Sequence, residues 1–136
     1  MLVFSPLAED RFALAVETIY EGYLVHYGRP RLFAPSDHDT ILLLGDYLYA
    51  HGLVRLATAG SVEAVADMGE LISRCAQLRA EGSSEEGPVW AASVALLGQG
   101  ALKETDDPET LVARAKAAAG VDSVDRALEA HRQRVR

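Results

Sequence analysis

The chain has one cysteine in 136 residues, few aromatics (7%) and a deficit of positive charge. A lone Cys75 excludes an internal disulfide and any zinc site built on several cysteines. Its flanks, Ser73-Arg74 and Ala76-Gln77, place it mid-helix on an apolar side, which reads as a structural thiol rather than a nucleophile. Against 20 Asp and Glu there are 13 Lys and Arg, a net charge of −7. Nucleic-acid binding would need a local basic patch. The nearest is Arg126, Arg132, Arg134 and Arg136, which read as cations complementing a helix C-terminus. No run approaches the ~18 apolar residues of a membrane span. Met1-Leu2-Val3-Phe4 lacks the cationic start of a signal peptide, so a cytoplasmic protein is expected.

What is present in excess is apolar side chain. The apolar share is 49% without glycine, where ordinary soluble domains reach roughly 45–50% with glycine counted. That surplus points to a partner or a hydrophobic ligand. Ala (22) and Leu (18) far outnumber Val (12) and Ile (3), a helix-forming balance. Residues 1–136 make one domain by length.

The helix punctuation is legible. Ser5-Pro6 opens a first helix running to about Tyr27, with Gly28 and Pro30 after it. Phe12, Val16, Ile19, Tyr23 and Tyr27 form its apolar face, and Asp10, Glu17 and Glu21 a polar stripe. Ser36-Asp37-His38-Asp39, a capping-box relative with Ser36 as cap, starts a second helix to about Thr58. From Ile41 to Ala57 it is apolar nearly all round, broken only by Asp46, His51 and Arg55, which predicts a central helix or one in an interface. Gly60-Ser61 precedes a third, amphipathic helix, Val62 to about Glu81, with Val65, Met68, Ile72, Cys75 and Ala76 inward. A Gly/Ser/Glu linker leads to a fourth helix from Pro88 to about Leu102, again apolar all round. Asp107-Pro108 opens a fifth, ended by Gly120, and Asp122 to Asp125 caps a sixth. No stretch alternates with period two. The fold expected is all-α, a single bundle of about six helices.

Candidate chemistry is thin. Asp37, His38, Asp39, Asp46 and His51 share the second helix, but not at the i,i+3 or i,i+4 spacing of helical metal ligands, so the acids read as N-caps. Asp106-Asp107 before Pro108 also reads as a cap. His26 and His131 stand alone, and Gly98-Gln99-Gly100 is not a phosphate loop. No catalytic, cofactor-binding or metal residue is assigned.

Leu44-Gly45-Asp46-Tyr47-Leu48-Tyr49-Ala50, followed by Leu56-Ala57, resembles the "GDYLLA" helix of the all-α trans-polyprenyl diphosphate synthases. Gly28-Arg29-Pro30 stands about where that family has its Arg-Arg-Gly-x-Pro stretch. Leu71 to Ala76 and Val89 to Gly98 resemble the helices that follow, so the similarity covers residues 10–102. The departures are as informative. Catalytic members hold Mg²⁺ and an allylic diphosphate with two DDxxD motifs, because the departing diphosphate must be neutralised. At the first of these this chain has Tyr23-Leu24-Val25-His26-Tyr27, and at the second Asp106-Asp107-Pro108-Glu109-Thr110.

The resemblance therefore implies half of an isoprenoid-synthase-like fold and the role of a small, non-catalytic subunit, component I of hexaprenyl and heptaprenyl diphosphate synthases. Such a subunit regulates a DDxxD-bearing large subunit and completes its hydrophobic product channel. It has no activity alone, and Mg²⁺ belongs to the partner. The residues expected at the interface or channel are Leu44, Asp46, Tyr47, Leu48, His51, Trp90 and Val94, with Tyr49 a further anchor. Tyr47 reads equally as core filling. Arg29 and Arg31 are left between a diphosphate and solvent. The alternatives are a self-associating helical scaffold without isoprenoid chemistry, and a carrier with a cavity between the two apolar helices.

Overall fold

Helix α1 (Ala13–Tyr27) is the first full helix in a computed structural model, which describes residues 2–83, 85–102 and 107–135. Helices α2 (His38–Thr58), α3 (Val62–Ala80), α4 (Glu86–Ala95), α5 (Pro108–Ala119) and α6 (Val121–Val135) follow. Among the described residues there is no strand. The all-α bundle of six helices expected from the helix punctuation is the fold found.

The helix starts obey local capping chemistry, with adjustments. Asp37, not Ser36, caps α2: its carboxylate accepts from the Thr40 amide at 2.9 Å. Ser61 caps α3 through the Ala64 amide (3.0 Å), and Asp107 caps α5 through the Thr110 amide (2.7 Å). Asp106 and Arg136 lie outside the described residues. Helix α6 starts at Val121, before the Asp122 cap expected, directly after Gly120 at φ 97°. Ser5-Pro6 opens only a 3-10 turn (Ser5–Leu7), and a second such turn (Asp10–Phe12) precedes α1. Tertiary pull explains the delay. Phe4 is stacked on Trp90 at 5.5 Å, and the Val3 and Ser5 amides donate to the Glu17 carboxylate, so the segment folds back over α1. Helix α4 ends at Ala95 rather than Leu102, since Gly98 and Gly100 take positive φ and donate their amides to Asp67.

The central helices are α1 and α4; of the two places expected for the second helix, the centre is not the one it takes. Helix α1 buries Val16, Ile19, Tyr20, Tyr23 and Leu24, and α4 is buried from Val89 to Val94. The polar stripe expected on α1 is not a wet face: Glu21 is buried and Glu17 half-buried, both tied to Arg31. Phe4, Tyr20, Tyr23, Trp90 and His131 form one aromatic cluster that joins the N-terminal turn, α1, α4 and α6. Trp90 and Val94, expected at an interface or channel, are therefore core residues of this chain. Cys75 is buried on α3 beside Met68 and Leu71, and burial pushes its thiol up, out of reach of thiolate chemistry. Ala76, expected inward, is exposed, while Val65 and Ile72 are half-buried.

Helix α2 lies outside that centre and contacts mainly α1, the most extensive pairing in the bundle. Glycines set the distance. A Cβ on Gly52 would fall 2.3 Å from Ile19 Cγ1, and one on Gly45 2.4 Å from His26 Nε2. Gly22 on α1 meets the Gly45 carbonyl at 3.0 Å from its own Cβ position. The helices approach so closely because these glycines carry no side chain, and Ile19, His26 and the Gly45 carbonyl take the space left.

Gly52→Ala should therefore destabilise the fold by about 1–3 kcal/mol in chemical denaturation. Gly69→Ala, on α3 with open space around it, should stabilise by about 0.5–1 kcal/mol. His131 supplies a pH signature. It is buried with Nδ1 2.7 Å from Tyr20 Oη, and burial, then the Arg79 and Arg132 charges, lower it to about 4. The unfolded chain, titrating near 6.5, binds the proton first, so this contribution is complete above pH ~6.5 and lost as pH falls toward 4, worth roughly 3 kcal/mol. Denaturation midpoints measured across that window should fall steeply in the parent and less in His131→Gln.

Candidate functional site

With its glycine face on α1, α2 turns the opposite side outward. Gly45, Leu48, Gly52 and Leu56 are the buried residues of this helix. Leu43 (73% exposed), Tyr47 (62%) and Val54 (63%) stand out from it, with exposed Ala50 and Ala57 between and after them. These five follow at spacings of four and three, the period of one continuous helix stripe. A stripe of large exposed apolar side chains is uncommon on the surface of a monomer and singles this face out as the candidate site.

A groove of about 310 Å³ adjoins the stripe, walled by Leu14 of α1, Leu32 and Phe33 of the 28–37 link, and Leu48 and His51 of α2. Its deeper polar lining is Glu17, Glu21 and Arg31. Here the sequence builds a closed ionic knot. The Arg31 Nε–H donates to Glu21 Oε1 (2.8 Å), its Nη1 pairs with Glu17, and its guanidinium lies 5.2 Å from the Tyr20 ring centre. The Arg31 and Leu32 amides donate to the other Glu21 oxygen at 2.8 and 2.9 Å. Burial alone would lower the Arg31 guanidinium, but the two carboxylates hold it above its ordinary range. Arg31 is thus committed to internal carboxylates, while Arg29 is exposed. The knot fixes the link as the wall of the groove.

The structure separates the residues named from sequence into two groups. Tyr47, Leu48 and His51 come together at the stripe and groove: Tyr47 stacks on His51 with ring centres 5.7 Å apart, and His51 Nε2 accepts from the Arg55 Nε–H (3.1 Å). Leu44 is half-buried, and the exposed Asp46 carboxylate lies 3.2 Å from His26 Nε2. Tyr47 is not core filling; Tyr49 takes that role, half-buried and packed against the core. Trp90 and Val94 lie in the core instead. Sequence reading passed over Leu43, Val54, Leu14, Leu32 and Phe33. The four-and-three spacing of residues 43, 47, 50, 54 and 57 was the available signal, hidden because neighbouring positions on α2 are apolar too.

A second buried knot lies on the far side of α1. Glu86, wholly buried, pairs with Arg79 and accepts from the Tyr23 hydroxyl (3.1 Å); Arg79 lies 5.0 Å from the Tyr27 ring centre. It joins α1, α3 and α4 and faces no groove described above. Among the described residues, no cluster of three or more His, Cys, Asp or Glu is placed to hold a metal ion, and no helix is long and apolar enough to cross a membrane.

Removing one charge of the link knot should leave two carboxylates without their cation. Arg31→Met should cost about 3–5 kcal/mol, read by urea denaturation. An unchanged midpoint would show that the knot does not hold the link. In comparisons with family models, curated proteins and solved structures, the chain matches none.

Proposed function

We propose that this chain is a non-catalytic, regulatory small subunit of a heteromeric polyprenyl diphosphate synthase, docking a DDxxD-bearing catalytic subunit through the outer face of α2. The observation that carries the reading is where the Gly45-Asp46-Tyr47-Leu48 segment sits: the helix that bears it keeps an apolar face that no other element covers among the described residues. An obligate interface is built like a core cut in half, and this face has that composition. Tyr47, with a broad apolar ring and a polar tip, is the natural anchor. The groove beside it, walled by Leu14, Leu32, Phe33 and Leu48, offers apolar surface with which to extend a partner's hydrocarbon channel.

The division of labour follows from the residues. The segment before Gly28, where the family holds its first Asp-rich motif, has no acid in Tyr23 to Tyr27. Arg31 is neutralised by Glu17 and Glu21 and is not offered to a diphosphate. Diphosphate binding, Mg²⁺ and bond formation are therefore assigned to the partner. This chain contributes apolar surface that shapes the product site and so the length of product accommodated.

Co-expression with a catalytic trans-polyprenyl diphosphate synthase subunit encoded in the same genome tests the reading. The two chains should co-purify and make longer polyprenyl diphosphate, or more of it, than the large chain alone. Tyr47→Asp should abolish co-purification while leaving the helical circular dichroism signal intact. Failure of the unmodified pair both to associate and to raise prenyl transfer would overturn it.

A further inference from the structure

We propose that two copies of this chain pair through the same outer stripe, with their α2 helices antiparallel. Thr40, Leu43, Tyr47, Ala50, Val54 and Ala57 are all exposed and alternate at three and four, the spacing of a coiled-coil seam. Gly45 and Gly52 hold the opposite side of α2 against α1, so the seam is available without disturbing the monomer fold.

The seam is complementary to itself in one orientation. With the helices antiparallel and Tyr47 over Ala50 of the second copy, the same register sets Leu43 against Val54 and Thr40 against Ala57. Each pairing occurs twice by two-fold symmetry, as an isologous contact requires. That register also overlaps the two helices from end to end. A large side chain meets a smaller one at every layer, which fills space evenly. A parallel pair would stack Tyr47 on Tyr47 and Ala50 on Ala50, an overpacked layer followed by a void.

Charge favours the same orientation. Asp37 caps the start of α2, and Arg55 in its last turn lies about five turns along on the same flank of the seam; Asp39 is on the other flank. Antiparallel pairing brings the acidic end of each helix to the basic end of the other and opposes the helix dipoles. Parallel pairing would bring the two acidic turns together. The neighbouring Leu14 and Leu32, both more than half exposed on the groove beside His51, widen the apolar area beyond the seam itself.

This pairing does not rest on the prenyl synthase reading, because it concerns the chain alone. A catalytic partner using the same face displaces the second copy, so self-pairing keeps the stripe from water until that partner arrives.

Sedimentation equilibrium of the purified chain is the test. The expected mass at micromolar concentration is twice 14.6 kDa. Tyr47→Glu and Val54→Glu, both at exposed positions, should keep the helical signal and each raise the dimer Kd at least about tenfold. A monomer throughout the micromolar range overturns the proposal, and a dimer unaffected by either variant overturns the choice of face. Orientation is read by mixing the Leu43→Cys and Val54→Cys variants and oxidising them. Cross-links between unlike variants support the antiparallel register; cross-links of Leu43→Cys with itself, about three turns apart in that register, overturn it.

Discussion

The near contact of α1 and α2 backbones is the constraint from which the rest of the molecule follows. Gly22, Gly45 and Gly52 leave no Cβ between the helices, and Ile19, His26 and the Gly45 carbonyl occupy the space that side chains would need. A helix seated this deeply on its neighbour presents a narrow strip to it, here Gly45, Leu48, Gly52 and Leu56. The side diametrically opposite is then committed to face outward, whatever its chemistry. In α2 that side is Leu43, Tyr47, Ala50 and Val54. The glycines thus determine both how α2 is held and which of its apolar residues are left exposed.

Buried ion pairs hold the irregular parts of the chain against this frame. Glu17 and Glu21 leave the solvent face expected of them and gather Arg31, the backbone of the link and the amides of the N-terminal segment. Glu86 does the same for Arg79 and Tyr23 across α1, α3 and α4. Buried pairs of this kind contribute little net stability over apolar packing, but separating one is costly, so they select one arrangement among several. The consequence at the surface is a link pinned in place as one wall of the groove. A site for an apolar partner is better defined on such a wall than on a free loop.

The excess of apolar side chain resolves into two different fates. Helix α4, apolar all round, is taken into the centre between the aromatic cluster and α5, and its Trp90 and Val94 serve this chain's own core. Helix α2, equally apolar, is not enclosed. A chain of this length encloses one such helix together with α1, and the second keeps an apolar face exposed. That is the physical basis for reading the molecule as one part of an assembly, and the resemblance of the same helix to the polyprenyl synthase family gives the assembly its proposed chemistry.

The sequence by itself determined the helices and their punctuation. Capping by Ser61 and Asp107, the stop at Gly120 and the all-α class follow from local backbone chemistry, which acts within one turn and needs no distant partner. It also placed Tyr47, Leu48 and His51 near one another, because they share one helix. What only the tertiary structure decided is which side of each helix is inside. Two helices apolar on every side have no periodicity to orient them, so α4 could be central and α2 peripheral only once glycine-to-isoleucine contact on α1 was made. Likewise no local rule could reveal that Glu21 and Glu86 are buried, since the cations that permit it, Arg31 and Arg79, are supplied by other segments of the chain.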